Sequence, residues 1–202
     1  LTLAENETIL GQSLGHAVLD LGDWRIVLWR ADARIRRGAG HSGFVLVEED
    51  LVWLARTMQA ADRPVLVASH VPISGHAQTG NYYFQNNPAS STCPGADRIR
   101  AALALARVPV VAIAGHVHWN TITCADGITH LTQQSLTESF TTGGEPAGAM
   151  GILDLSDRVL WEVSGADPIR FEFQPTTRRW TPPLPPFRDH PGLMEHRAVA
   201  RQ

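Results

Sequence analysis

Two amphipathic helices alternate with two short apolar strands between residues 48 and 115, and this alternation constrains the fold more than any other feature. The apolar positions of each helix recur at the spacing of one helical face: Leu51, Leu54, Ala55 and Met58 in the first, and Ile99, Ala102, Leu103 and Ala106 in the second. An uninterrupted apolar run follows each helix, "VLVAS" and then "VPVVAIAG". Strands without polar alternation are buried on both faces. The pattern therefore predicts an α/β sandwich in which helices cover a largely parallel sheet.

The segments on either side of this unit predict mainly β structure. Residues 15–20 and 24–30 are expected to be strands around an "LGD" turn, and the polar, Gly-rich residues 31–43 a loop. A hairpin with Asp126-Gly127 in its turn follows residue 118, and "AMGILDLS", "VLWEVSG" and "IRFEFQ" predict a C-terminal antiparallel part. Residues 1–174 are thus expected to form the folded domain. The Pro-rich residues 175–202 are expected to be an extended or disordered tail.

Composition excludes some classes of partner. A net charge of −3 with no basic stripe argues against a nucleic acid polymer or an anionic membrane surface. No apolar run is long enough to span a bilayer and no signal peptide is recognisable, so a cytoplasmic location is expected. Two cysteines, Cys93 and Cys124, are too few for a disulfide framework and are expected to be free thiols.

Histidines stand at the ends of both central strands. His70 follows "VLVAS", and His116 and His118 follow "VVAIAG". Because the carboxyl ends of parallel strands share one edge of a sheet, these imidazoles are expected to converge on one crevice as metal ligands. An extended backbone would point His116 and His118 to the same side, with Gly115 providing the sharp turn. The remaining histidines are expected to be surface or hydrogen-bonded structural residues, and they include His16, His41, His130, His190 and His196.

The motifs "SHVP" at residues 69–72 and "GHVH" at 115–118 resemble the two C-terminal signatures of the calcineurin-like metallophosphoesterase family, and the likeness spans about residues 10–170. The resemblance implies a layered α/β sandwich and a hydrolase that uses two divalent or trivalent metal ions, Mn, Fe or Zn. By position, His70 and His116 resemble ligands of one ion and His118 a ligand of the other. A small phosphoester is the implied substrate. Similarity to small bacterial members favours a phosphodiesterase acting on nucleotides or cyclic nucleotides.

The N-terminal signatures of that family, which are rich in carboxylates, are absent. "LGDW" at 21–24 contains Gly22-Asp23, but Ile26 stands where the family has a second Asp, and the pair falls in a hairpin turn. The chain therefore resembles the C-terminal half of such a domain, incomplete at its N-terminus, and is expected by itself to bind metal poorly and to hydrolyse slowly or not at all. Two alternatives stay open. The chain is a degenerate, non-catalytic domain used for protein binding, or a second copy of the chain completes the site.

Three other segments bear on function. The long aperiodic loop 72–95 is expected to lie over the metal site, where His76, Asn81, Tyr82 and Tyr83 contact substrate, unless its side chains only hold the loop together. Residues 132–139 either line the cleft or form a polar strand end. "GHSGF" at 40–44 does not match the nucleophile elbow of serine hydrolases, because Phe44 replaces the second Gly. The large aromatic residues are expected in the core: Trp24, Trp29, Phe44 and Trp53.

Overall fold

The computed structural model describes residues 2–30, 36–38, 41–76, 78, 81 and 83–179. The helices are α1 (Leu3–Leu10), α2 (Glu48–Gln59), α3 (Pro88–Ser91) and α4 (Ala96–Leu103), with a 3₁₀ turn at Phe84–Asn86. The strands are β1 (Ala17–Leu21), β2 (Trp24–Leu28), β3 (Arg36–Gly38), β4 (His41–Gly43), β5 (Val65–Ser69), β6 (Val110–Ala114), β7 (Thr121–Ala125), β8 (Ile128–Thr132), β9 (Met150–Leu155), β10 (Val159–Ser164) and β11 (Ile169–Phe173).

A six-stranded sheet forms the centre, in the order β1-β2-β5-β6-β8-β7. The four inner strands run parallel and the two edge strands antiparallel. The apolar runs predicted as buried strands are β5 and β6, which lie at the middle of the sheet with buried side chains. A second sheet, β11-β10-β9, is antiparallel throughout, as predicted.

Helices cover one face of the central sheet and the small sheet covers the other. The helix side of the core contains Leu54, Met58, Ile99 and Leu103, each fully buried. On the opposite face Trp161 packs in the same cluster as Trp24, whose indole Nε1 donates a hydrogen bond to the Ser156 carbonyl at 3.0 Å. Burial of each large apolar side chain contributes about 1.5–3 kcal/mol. The three layers confirm the predicted α/β sandwich with its antiparallel part.

Two elements differ from the sequence prediction. Residues 36–38 and 41–43 pair as a short hairpin within the segment predicted to be a loop. Main-chain pairing needs no alternation of side chains, so this Gly-rich segment carries no strand pattern. Helix α1 was not predicted, although Thr2 and Glu5 form a capping box at its start: the Thr2 hydroxyl accepts from the Glu5 amide at 3.2 Å.

Residues 175–179 are described by the structure and lie against the domain. The Arg179 guanidinium donates to the Val108 carbonyl at 2.9 Å, and the Arg178 backbone lies directly over Gly127 in the β7–β8 turn. Residues 180–202, the rest of the predicted tail, lie outside the described residues, so the boundary at residue 174 stays a prediction. Among the described helices, none combines the length and apolarity needed to cross a membrane.

Substitution of Gly127 should destabilise the domain. Gly127 has φ +80°, and a Cβ there would overlap the Arg178 carbonyl oxygen. Gly22 also has positive φ, +58°, but open space around it. We expect Gly127→Ala to lower the free energy of unfolding by about 1–3 kcal/mol, and Gly22→Ala to lower it only by its backbone strain. Urea denaturation measures both. Equal losses would show that contact with residue 178 contributes nothing.

Candidate functional site

Two of the predicted ligands meet at the carboxyl ends of β5 and β6. These strands are parallel neighbours, with Ser69 paired to Ala114. The Gly115 amide donates to the His70 carbonyl at 3.1 Å and continues the pairing one residue beyond β6. The ring centres of His70 and His116 are consequently 5.2 Å apart, with their planes at 69°. The structure therefore brings the two imidazoles together as the strand pattern predicted, while their role as ligands stays a prediction.

The backbone of the "GHVH" loop is not extended, so the expected reason for the placement of its histidines is wrong. His116 has φ 66° and His118 has φ 54°, both in the left-handed region, whereas Gly115 does not have positive φ. Val117 between them is buried, and its amide donates to the Gly115 carbonyl at 2.8 Å. A buried valine thus anchors a tight turn. Left-handed non-glycine residues cost about 1–2 kcal/mol each, and such strain concentrates at functional sites.

The His116 ring is held on several sides. Its Nε2 lies 2.8 Å from the Ser90 carbonyl oxygen, and its ring contacts Phe44 and Phe84 at centroid distances of 5.0 and 5.3 Å. A carbonyl only accepts, so Nε2 carries the proton and Nδ1 keeps its lone pair. Burial lowers the pKa of His116, and the neighbouring His70 and His118 lower it further against the raising effect of the Ser90 bond. A neutral imidazole with one nitrogen donated to the protein is the usual state of a metal ligand.

His118 is paired with a residue that the sequence analysis did not single out. Its Nδ1 lies 2.9 Å from Oε2 of Glu138, and Glu138 is only 4% exposed. The other carboxylate oxygen of Glu138 accepts from the Phe140 amide at 2.6 Å and the Thr141 amide at 3.3 Å. His118 itself is about half exposed, with Nε2 as the nitrogen that retains a lone pair. This carboxylate–histidine arrangement is typical of metal sites.

One signal for Glu138 exists in the sequence. Residues 128–144 contain a single carboxylate and no arginine or lysine. A lone carboxylate in an otherwise uncharged segment after a strand of the central sheet is a candidate for burial with a partner. The structure therefore favours the first of the two interpretations of residues 132–139, because Gln133, Gln134 and Glu138 line cavities at the histidines.

The two predicted substrate-binding residues lie in different surroundings. Asn81 is buried; its Nδ2 donates to the Val117 carbonyl at 3.2 Å, and its Oδ1 accepts from the backbone amides of Tyr83 and Phe84. It therefore clamps the long loop onto the "GHVH" turn and lines the cavity there. His76 is exposed and does not line the cavities at His116 and His118. A substrate-binding role for both stays a prediction, and Tyr82 lies outside the described residues.

The prediction that the other histidines are surface or hydrogen-bonded structural residues is confirmed for His16 and wrong for His130. His16 is a structural residue: Nε2 pairs with Asp50 at 2.9 Å, Nδ1 accepts from the Arg30 amide, and the ring stacks on Trp53. His130, expected to be at the surface or hydrogen-bonded, is 4% exposed, and neither ring nitrogen has a hydrogen-bond partner among the described residues. The alternation of strand β8 turns its side chain inward. His41, His190 and His196 have no described side chains.

Several smaller expectations are met. Cys93 is buried and Cys124 exposed, and both are free thiols. Burial raises the pKa of Cys93 to about 11, with the Asp50 carboxylate as a second cause, so this thiol is a poor nucleophile. Trp24 and Trp29 are fully buried, and Phe44 and Trp53 pack partly buried against the helix-side core, as predicted.

His116 and His118 form a common wall between two cavities. One, called the polar cavity below, has a volume of about 400 Å³. Ala68, Ile113 and Ala114 line it together with five polar side chains: Ser69, His70, Gln133, Gln134 and Ser135. Oε1 of the buried Gln134 has no hydrogen-bond donor among the described residues. The other cavity, of about 430 Å³, is lined mainly by aromatic side chains: Tyr83, Phe84, Trp119 and Phe140. Both volumes are in the range of small-molecule sites.

The spacing of the imidazoles suits a metal ion, but the described residues do not provide a complete set of ligands. Two imidazoles that bind one ion through bonds of about 2.1 Å have ring centres about 5 Å apart, close to the observed separation of His70 and His116. Within the part of the chain that is described, however, no group of three or more His, Cys, Asp or Glu side chains could hold a metal ion. Asp23 lies in the β1–β2 turn, at the amino end of β2. The register of β2 on β5 places Asp23 level with residue 63, so His70 lies seven residues further along, roughly 23 Å away at about 3.3 Å per residue.

Comparisons with known proteins identify a solved structure that has a similar fold. No protein-family model and no curated protein sequence matches the chain. Among solved structures it is similar to a dimetal phosphatase from Danio rerio, with 16% identity and a TM-score of 0.59 over 80% of this chain and 60% of that one. The chain thus spans about 60% of the length of the phosphatase. At this level of identity the comparison shows the fold, and it confirms the metallophosphoesterase-type architecture that the two histidine motifs indicated.

Two further structures are similar at lower scores. A Vps29 variant from Entamoeba histolytica has 12% identity and a TM-score of 0.34 over 81% of this chain and 63% of its own. A 5′-nucleotidase from Staphylococcus aureus, in complex with alpha-ketoglutarate, has 13% identity and a TM-score of 0.40 over 93% of this chain and 34% of its own. Scores this low add nothing to the fold assignment.

Proposed function

We propose that the chain supplies part of the active site of a metal-dependent phosphoesterase, of the phosphodiesterase type. The observation that supports this proposal is the convergence of His70 and His116 at neighbouring strand ends, with His118 two residues beyond His116. The fold shared with a dimetal phosphatase supports the same class of reaction. The substrate is a small phosphoester of the nucleotide or cyclic-nucleotide type.

In this proposal His70 and His116 bind one metal ion and His118 binds the second. When bound, the ions, Mn, Fe or Zn, supply an activated water and offset the charge on the phosphoryl oxygens. The protein positions the donors. The Ser90 carbonyl fixes His116 so that Nδ1 is the ligand atom, and Glu138 fixes His118 so that Nε2 is. Both imidazoles are therefore oriented before a metal binds, which lowers the entropic cost of binding.

The donors that complete the site come from outside the described residues. Neutral imidazoles alone leave the charge of two ions without compensation, and catalytic zinc sites usually have three protein ligands each. A segment that precedes Leu1, or a second protein chain, provides the missing carboxylates in this proposal. The isolated chain is consequently expected to bind metal weakly and to turn over substrate slowly.

Metal titration with alanine variants tests the proposal. We expect His118→Ala, which removes an exposed ring, to weaken Mn²⁺ or Zn²⁺ binding to the chain about tenfold or more by calorimetry. His116→Ala should do the same, and circular dichroism would show whether each variant is folded. Cys124→Ser is the control, because it removes an exposed thiol ligand away from the histidines.

Two outcomes would contradict the proposal. Binding that is unchanged in both histidine variants would mean that the metal binds elsewhere, and an absence of binding in the wild-type chain would favour the non-catalytic, protein-binding alternative. Hydrolysis of a chromogenic phosphodiester by the chain at the rate of an ordinary enzyme would contradict only the expectation that ligands are missing.

A further inference from the structure

We propose that the aromatic cavity beside His116 and His118 binds a flat, uncharged aromatic group that is attached to the phosphoester, a nucleobase or an aryl ring. This inference deepens the proposed function by assigning the part of the ligand that does not react. It does not depend on metal, because the cavity is formed by residues of this chain alone.

The first argument is the chemistry of the lining. Four aromatic side chains border the cavity: Tyr83, Phe84, Trp119 and Phe140. Tyr83 is 53% exposed and Phe140 is 80% exposed, so both rings are accessible to a ligand in the cavity. Aromatic faces attract other flat π-systems by stacking, and this attraction adds to the affinity for a nucleobase. An aliphatic chain would bury the same area without this stacking gain.

The second argument is how the cavity is held open. Tyr83 contacts Phe84 edge to face at 4.9 Å, and Phe84 in turn contacts the His116 ring. Asn81 fixes both aromatic residues through their backbone amides and fixes the "GHVH" turn through the Val117 carbonyl. On the other side, Glu138 holds the amides of Phe140 and Thr141. Two buried polar side chains thus preorganise the walls, which reduces the ordering cost of binding.

The third argument is the relation of the aromatic cavity to the polar one. His116 and His118 line both, so a single ligand can span the pair, with its polar group beside His70 and its flat group beside Tyr83. The polar side chains of Gln133, Gln134 and Ser135 border the cavity beside His70, where a polar group of a ligand would lie. A phosphorylated aromatic compound has this division into a polar and a flat part.

Calorimetric titration of the chain in EDTA, without metal, tests the proposal with four probes: adenosine 5′-monophosphate, adenosine, phenyl phosphate and glycerol phosphate. We expect both aromatic phosphates to bind about tenfold more tightly than glycerol phosphate. Tighter binding of the adenosine compound assigns a nucleobase, and tighter binding of phenyl phosphate assigns an aryl ring. Equal affinity of all three phosphates would overturn the proposal.

Variants separate stacking from simple apolar contact. Tyr83→Ala should remove most of the preference for aromatic probes, while Tyr83→Phe should retain it. Leu136→Ala is the matched control, since Leu136 is exposed in the same loop as Phe140 and does not line the cavity. Loss of the preference in the control as well would overturn the assignment to this cavity. If adenosine binds but glycerol phosphate and metal do not, the aromatic site stands and the proposed phosphoesterase function fails.

Discussion

Acidification from about pH 7.5 to about pH 5 is expected to lower the free energy of unfolding by about 2 kcal/mol through His130 alone. His130 is buried in β8, and neither ring nitrogen has a hydrogen-bond partner in the part of the chain that the structure describes. Burial is the main cause that lowers its pKa from 6.5 to about 4; the positive charge of Arg100 and His76 adds to the effect, and Asp126 opposes it. The unfolded chain therefore binds the proton more tightly than the folded chain. Stability falls as the pH drops through 6.5 and the loss levels off below about 4, at about 3 kcal/mol in total.

The measurement is urea denaturation of wild type and His130→Leu at both pH values. Leucine has a similar size and suits the largely apolar surroundings, which include Ile73, Ala112 and Ile113, and its stability should lack the histidine's share of the pH dependence. The quantity compared is the change with pH, so a different absolute stability of the variant does not affect the test. His76→Asn is a second comparison: because the charge of His76 contributes to the lowered pKa of His130, its removal should reduce the slope slightly, and far less than His130→Leu does. A wild-type slope in His130→Leu would show that the ring is hydrated or paired in solution.

The substitution Glu138→Gln is expected to weaken metal binding by about 10-fold to 100-fold with little change in fold. The glutamine carbonyl can still accept from the Phe140 and Thr141 amides, but its NH₂ group would then face the Nδ1–H of His118. Two donors repel each other, so His118 is driven to the tautomer in which Nδ1 accepts and Nε2 carries the proton. The lone pair of His118 is then on Nδ1, which faces residue 138, and the exposed Nε2 cannot bind a metal ion.

Two measurements distinguish this effect from simple destabilisation. Nitrogen NMR of the His118 ring should report the exchange of tautomers in the metal-free variant, and calorimetry should report the loss of affinity. Glu145→Gln is the matched control, since Glu145 is exposed in the same loop. An unchanged tautomer together with unchanged affinity would mean that Glu138 only braces its own loop.

Local apolar patterns were sufficient to predict the layered architecture. Helical spacing around Leu54 and Ile99 and the uninterrupted strands β5 and β6 report burial directly, because apolar periodicity reflects which faces leave water. The same strands placed His70 and His116 at one edge, since parallel strands end together. These predictions needed only local pattern and a general rule of sheet topology.

The backbone conformation and the hydrogen bonds of the site depend on tertiary structure. The left-handed backbone of His116 and His118 accompanies the burial of Val117 between them, and the modest preference of histidine for this region is too weak to predict it from sequence. Glu138 reaches His118 across 20 residues, and Asn81 reaches Val117 across 36. Such contacts produce no periodic pattern in the sequence, because a single long-range hydrogen bond constrains one residue and not every residue on one face of a helix or strand.

His130 is a second residue whose position on a strand could be predicted but whose environment could not. Strand alternation predicts that residues 128, 130 and 132 share one face. Only the tertiary structure shows that Pro72, Ile73 and Gln78 lie around the same small cavity as the His130 ring. Local sequence therefore fixed which elements form and where their ends lie, since these depend on neighbours along the chain. Which polar groups are buried, and which are paired, depends on segments far apart in sequence, and the tertiary structure alone decided it.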